Sequence, residues 1–303
     1  MKKNKMKRSY ILMLAAAAAL TSCKDNEVFE QEMYKNEVAL ISSSYYNTFE
    51  EIVPLTGAEV TGYIAASAGG THAPAKDMII QLEEDDEQFN IYNRALFDAD
   101  ERLYAKLLPK SRYKIEDYKI VIKAGERTGR TMVKLDPDGL SPDSTYFIEL
   151  KATDVSGVDI NPKKNSILYQ VLIKNDYASQ ADDAFYAMTG LVDERITAGN
   201  KKLFPLTSNS VRVIAGTESF ESNVSHINKT SIILEVGADN KVTIKPYKDI
   251  EVRQIDGDTR YPNIFRVEES FGRKFNVFLI SYEYKLNGST HIMQEELRIQ
   301  VNQ

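Results

Sequence analysis

The sequence has no tryptophan, one cysteine and three histidines in 303 residues. A lone cysteine excludes a disulfide framework and a multi-thiolate metal site, so hydrophobic burial has to stabilise the fold. His72, His226 and His291 lie far apart and read as surface or loop groups rather than as a ligand set or a general base. There is no phosphate-binding glycine loop, no G-x-S-x-G elbow and no H-E-x-x-H pair. Carboxylates are plentiful, but none forms an acid–base pair of the glycosidase kind. Asp98-Ala99-Asp100-Glu101 lacks the D-x-x-D-x-D-x-E spacing, and Asp136-Pro137-Asp138-Gly139 with Asp143 departs from the EF-hand pattern and reads as a tight turn. The expectation is a protein with no catalytic residues, no metal and no cofactor. No segment past the N-terminal leader is long and apolar enough for a membrane helix.

What is present begins with Cys23. Lys2, Lys3, Lys5, Lys7 and Arg8 form a basic start, Ile11 to Leu20 a short apolar core, and Leu20-Thr21-Ser22-Cys23 a cleavage and lipidation site. This is the layout of an exported lipoprotein signal. Cys23 is therefore the expected lipidation residue, its thiol taking diacylglycerol and its amine a further chain such as palmitate. Several acyl chains hold a protein stably where one does not. The leader carries five basic and no acidic residues, so its removal takes the formal net charge from −6 to −11. An acidic chain of this kind excludes a nucleic-acid partner, whose phosphates require a basic footprint. Contact with the membrane is expected through the lipid alone.

The length suggests two domains. The divisions read from the sequence are a signal peptide over 1–22, an acidic tether over 23–36, a first β domain over 37–175 and a second over 183–303, with the polar run Lys174 to Asp183 between them. Period-two patterning dominates from Glu37 onward. Tyr118, Ile120 and Ile122 share one strand face, as do Tyr146, Ile148 and Leu150, with Lys119, Lys123, Glu149 and Lys151 expected on the solvated side. Asp85 to Arg102 departs from alternation and reads as a short helix or an ordered crossing loop. In the second half, Gly237-Ala238-Asp239-Asn240 and Leu286-Asn287-Gly288-Ser289 are hairpin turns. The run Arg273 to Lys285 is apolar on both faces, as in a barrel wall that is filled inside and covered outside.

The chain has 17 tyrosines and 12 phenylalanines. A tyrosine offers a flat apolar face and a polar tip, which suits sugar binding. Those in turn-rich, polar surroundings are Tyr45 and Tyr46, Tyr247 after Pro246, and Tyr261 in Asp256-Gly257-Asp258-Thr259-Arg260-Tyr261-Pro262-Asn263. The candidate ligand-binding residues are Tyr247, Asp258, Arg260, Tyr261 and Asn263.

Lys24-Asp25-Asn26-Glu27 resembles the short charged signal that sends Bacteroidetes lipoproteins to the outer face of the outer membrane. Gln88 to Asn93, Tyr104 to Pro109, Tyr113 to Ile115, Ile122 to Glu126 and Leu140 to Tyr146 resemble a domain of unknown function found in such lipoproteins and ahead of certain endo-β-N-acetylglucosaminidases. Phe185 to Gly190, Lys202 to Thr207, Ser210 to Arg212 and Phe275 to Tyr284 resemble its C-terminal partner domain. The resemblance implies an all-β protein, an N-terminal immunoglobulin-like β-sandwich followed by an antiparallel lipocalin-like (calycin-like) β-barrel. It also implies a glycan ligand and SusC/SusD-type transporter components as partners, with a non-enzymatic role as a glycan binder or as a docking protein of the surface complex.

Overall fold

The computed structural model describes residues 35–181, 184–219 and 223–301. Cys23, the leader and the tether as far as residue 34 lie outside the described residues. The first half builds β1 (Glu37–Leu40), β2 (Thr48–Pro54), β3 (Val60–Ala68), β4 (Met78–Glu84), α1 (Glu87–Phe97), β5 (Lys106–Leu107), β6 (Tyr113–Ile115), β7 (Lys119–Ile122), β8 (Thr128–Leu135), β9 (Tyr146–Val155), β10 (Asp159–Ile160) and β11 (Ser166–Lys174). One sheet runs β10-β1-β3-β8-β6 and the other β2-β11-β9-β4-β7, with β5 added alongside β9. Alternation sets which side chains enter the core between the sheets: Met78, Ile80 and Leu82 of β4 are buried while Ile79, Gln81 and Glu83 face out. Ile120 and Ile122 of β7 are buried as their spacing predicts.

Strand β9 departs from expectation. Glu149, expected on a solvated face, is buried, as is Phe147 on the same face. The reason is α1, which crosses the outer face of this sheet. Glu149 accepts the backbone N–H groups of Gln88 and Phe89, each at 2.9 Å, and so caps the helix from a neighbouring strand. Those bonds favour the carboxylate, but burial outweighs them and raises its pKa.

The second half builds β12 (Tyr186–Val192), β13 (Arg195–Lys201), β14 (Phe204–Thr207), β15 (Ser210–Ile214), α2 (Val224–Thr230), β16 (Ser231–Val236), β17 (Val242–Pro246), β18 (Val252–Gln254), β19 (Ile264–Ser270), β20 (Arg273–Leu286) and β21 (Ser289–Val301). Both hairpin turns named from sequence join their strands: β16 to β17, and β20 to β21 with Asn287 and Gly288 at positive φ. A six-stranded sheet runs β13-β12-β21-β20-β18, with β19 also on β20, and a four-stranded sheet runs β14-β15-β16-β17. The strands follow one another around a common core, and β12 closes against β21. The hydrogen-bond ladder is nevertheless broken, with none between β13 and β14 and only isolated links where β17 meets the other sheet. There Ile244 N donates to Gln254 Oε1 (2.8 Å) and Val242 N to the Asn263 carbonyl (2.8 Å). Each edge strand of the four-stranded sheet contains a proline, Pro205 in β14 and Pro246 in β17. Proline has no N–H to offer a further strand.

Candidate ligand-binding surfaces

The loop from Ile255 to Asn263 covers the outer face of β20 and β21. Asp258 Oδ1 accepts the backbone N–H groups of Arg260 (2.8 Å) and Tyr261 (3.0 Å), and Oδ2 accepts the side-chain amide of Gln294. Asn263, in the left-handed region at φ +56, donates through Nδ2 to the Ile255 carbonyl (2.7 Å) and accepts Ser281 N at Oδ1 (2.8 Å). This covering explains why Ser281, on the outer face of β20, is buried. Of the residues proposed from sequence, Asp258 and Asn263 are thus committed to the loop itself. Arg260 and Tyr261 stand together at the surface, the guanidinium 5.8 Å from the ring.

Tyr247 belongs to a different place. Its hydroxyl donates to Asp143 Oδ2 of the first domain (3.1 Å), and its ring lies 5.5 Å from the Arg212 guanidinium. Arg212 is fully buried. It pairs with the Asp143 carboxylate, donates to Ser231 Oγ (3.3 Å) and lies 4.2 Å from the ring of Phe204. The connecting segment is fastened on both sides. Asn175 Nδ2 donates to the carbonyls of Thr207 (2.7 Å) and Ser210 (2.9 Å), and Gln180 Nε2 to that of Pro142 (3.0 Å). Asp143 is thereby a junction residue, and Asp136 pairs with Arg112 at 2.8 Å rather than with Asp143 in a cation loop.

The most continuous aromatic surface lies on the first domain. Between β1 and β2 the chain makes a tight turn in which Ser43 N donates to the Thr48 carbonyl (2.7 Å) and Ser43 Oγ to that of Tyr45 (2.6 Å). Tyr46 and Asn47 both take positive φ, and Asn47 Nδ2 anchors the turn on the Lys163 carbonyl (3.1 Å). The turn holds Tyr45 out at 77% exposure. From it, ring centroids step from Tyr45 to Tyr46 (6.0 Å), to Tyr92 of α1 (5.5 Å), and from Tyr92 to Phe97 (6.4 Å) and Tyr104 (6.4 Å beyond Phe97). Phe147 supports the row from beneath, 4.9 Å from Tyr92. Asn93, buried, grips the backbone of Ala105 through both side-chain atoms (2.8 and 3.3 Å) and fixes α1 against the segment that carries Tyr104.

A buried charged group in the second domain escaped sequence reasoning. Lys201 Nζ lies 2.6 Å from Glu295 Oε2 and donates to Oε1 at 2.8 Å; side-chain exposure is 5% and 0%. Tyr282 donates its hydroxyl to Glu295 Oε1 (2.8 Å) and accepts Gly216 N (2.9 Å). Burial lowers the Lys201 pKa against the pull of Glu295, and raises that of Tyr282 far above the ordinary phenol range. The available signal was parity: Glu295 sits between Met293 and Leu297 on the inward face of β21.

The two sheet pairs and their separate cores define an all-β, two-domain protein. Residues 30–159 match a family model described as an N-terminal domain, and residues 165–298 match its C-terminal counterpart. Two solved structures have the same overall fold at 14% sequence identity. A Bacteroides ovatus protein of unknown function covers 91% of this chain and 93% of its own, with a TM-score of 0.64. An auxiliary nutrient binding protein from Bacteroides thetaiotaomicron covers 86% and 94%, with a TM-score of 0.60. No curated protein matches the chain. The chain thus shares a two-domain, all-β fold with these Bacteroides proteins.

Proposed function

We propose that this protein is a non-catalytic, lipid-anchored protein of the outer-membrane surface that binds glycan for a SusC/SusD-type import system. The row Tyr45, Tyr46, Tyr92, Phe97 and Tyr104 carries the reading. It offers the exposed ring of Tyr45, backed by half-buried rings on a tight turn and a capped helix, a surface suited to the apolar face of a sugar ring. The fold shared with an auxiliary nutrient binding protein agrees with it. On this reading the first domain is the immunoglobulin-like module and the second a lipocalin-type barrel with an interrupted ladder.

The anchor also fits the layout. Glu37 lies beside β10 and the end of β3, whereas the junction residue Asp143 lies at the other end of β9. Ten residues of β9 separate these ends by ~30 Å. A lipid on Cys23 would then hold the second domain away from the membrane. Calorimetry against a panel of mannan, xylan, starch and chitin oligosaccharides tests the binding claim, with Tyr45→Ala expected to weaken any interaction on the order of tenfold. Failure of every glycan in the panel to bind the wild-type protein would reject it. Cys23→Ala is expected to move the protein from the membrane fraction to the soluble one.

A docking role without glycan affinity is the second reading. Ile196, 91% exposed on edge strand β13, favours it, since an open edge and an apolar side chain suit a protein partner.

A further inference from the structure

Where the two domains meet, a cleft of about 560 Å³ opens between the connecting segment and the ends of β20 and β21. Tyr186 and Leu203 are its buried floor, Tyr177 and Ile299 its walls, and Lys174, Asp176 and Gln300 its polar margin. The size and the position at a domain interface suit a small-molecule site. Three features of the cleft narrow the ligand.

Its charged lining is one lysine and one aspartate, so neither an anion nor a cation is selected. The rest is aromatic, aliphatic, amide and hydroxyl, the mixture that meets a neutral molecule with apolar faces and a hydroxylated rim. The geometry is also fixed. Tyr177 N and Ala178 N both donate to Asn175 Oδ1 (3.0 and 2.9 Å), Tyr186 donates its hydroxyl to the Tyr177 carbonyl (2.7 Å), and Asn276 Nδ2 donates to the Asp176 carbonyl (3.0 Å). The wall ring is held edge-on against Phe265 (4.9 Å) and Phe278 (5.8 Å).

Exposed aromatics stand on the elements that frame the cleft. Phe185, beside the lining residue Ala184, is 53% exposed. Phe271 is fully exposed at the tip of the β19–β20 hairpin, which projects beyond Asn276. Its φ of +51 is costly for a bulky side chain, and in the unbound protein no burial offsets that cost.

The cleft is also in line with the aromatic row. Leu168 of β11 packs under that row, and Lys174, at the end of the same strand, lines the cleft. Six residues of strand span ~20 Å. Gln170, half-buried, and Leu172, buried, lie between them on the same face of the strand.

We infer that the junction cleft is a second contact for the glycan chain that the aromatic row binds, so that the ligand is an extended neutral oligosaccharide lying along β11. This rests on the glycan-binding reading and adds a length requirement to it. Two contacts on one rigid frame raise the affinity of a ligand long enough to reach both, and leave shorter ones with a single contact.

The test is calorimetry with size-fractionated oligosaccharides of mannan, xylan, starch and chitin, on wild type and three variants of the full chain. Ala184→Trp fills the cleft from an exposed position, and Gln300→Ala trims its margin, neither removing a packed side chain. Tyr45→Ala addresses the row. Wild type is expected to bind long members of one series at least tenfold more tightly than short ones. Ala184→Trp should abolish that gain while leaving short members unchanged, and Gln300→Ala should reduce it. Tyr45→Ala should weaken both. If Ala184→Trp keeps the full length-dependent gain, the cleft is not a contact and the aromatic row stands alone. If it abolishes binding at every length while Tyr45→Ala changes nothing, the cleft is the site and the row is not. Absence of binding by wild type to all four series overturns both.

Discussion

The two domains bury polar groups against different partners: the first sets Glu149 and Asn93 against backbone, the second sets charged side chains against one another. The first domain's core cluster is apolar up to the hydroxyl of Tyr169, which donates to Glu51 at 2.9 Å. The second domain encloses Lys201, Glu295 and Tyr282 and buries Arg212 at its border with the first. An aliphatic core tolerates loss of one contact by relaxing around it, whereas an enclosed charge has no substitute for its partner. The first domain, with its row of rings on the outside, reads as a scaffold for a surface. The second has an interior whose polar groups fix one arrangement of its strands.

Glu295→Ala should break this difference most sharply. It strands the Lys201 ammonium in a dry interior and is expected to cost about 3–5 kcal/mol by chemical denaturation. Replacing both partners by apolar residues of similar volume (Lys201→Met with Glu295→Leu) should recover most of that loss. If the single variant is as stable as wild type, the pair is solvated in solution.

Glycines give a matched comparison. Each domain has one whose missing Cβ leaves room for a tyrosine hydroxyl, Gly62 beneath Tyr169 and Gly216 beneath Tyr284. Alanine at either position overpacks, by about 1–3 kcal/mol. Gly216 is in addition left-handed, at φ +58, so Gly216→Ala should exceed Gly62→Ala by about 1 kcal/mol in thermal melts. Equal losses would mean that the loop at 216 relaxes freely.

Alkaline pH should separate the domains as well. Burial raises the hydroxyl pKa of Tyr186, Tyr282 and Tyr284 in the second domain, Tyr284 to about 12. A phenol raised above its unfolded value stabilises the fold below about pH 10. That contribution is lost as pH rises through the folded value, at about 1.4 kcal/mol per pH unit for each titrating group. The first domain has Tyr169 raised in its core and Tyr113 raised to about 12 at its margin. Tyrosinate absorbance followed with near-ultraviolet dichroism should show the second domain unfolding first, and Tyr282→Phe should flatten its dependence on pH. Smooth tyrosine titration with no loss of structure would contradict this.

The smallest effect is expected at Tyr45. Its ring is mostly in water, so Tyr45→Ala should change stability by no more than about 0.5 kcal/mol in either domain's transition. A larger loss would make the row a packing element and remove the argument for a ligand surface.

Much of the chain was legible because turns and alternation are local. Asn287-Gly288 specifies its hairpin through two positive φ values, and Ile120 and Ile122 reveal their buried face by spacing alone. Glu149 was misplaced because the element that buries it, α1, comes some 60 residues earlier in the chain. Asp258 and Asn263 looked like ligand-binding residues because a loop that satisfies itself has the same composition as one that binds. Tyr247 and Arg212 acquire meaning only through Asp143, a residue of the other domain. Non-local pairing, rather than weak local signal, limited the sequence reading.

The pairing of β12 with β21 also sets an order of events in time. Val192 meets Met293, about a hundred residues further along the chain, and closing a loop of that length costs about 4 kcal/mol of chain entropy. Until β21 arrives, β12 has only β13 beside it and offers an open edge to any neighbouring chain. The six-stranded sheet is therefore complete only once β21 is in place, and a chain cut before Ser289 would leave two ribbons, β12–β13 and β18–β20, with no strand to join them.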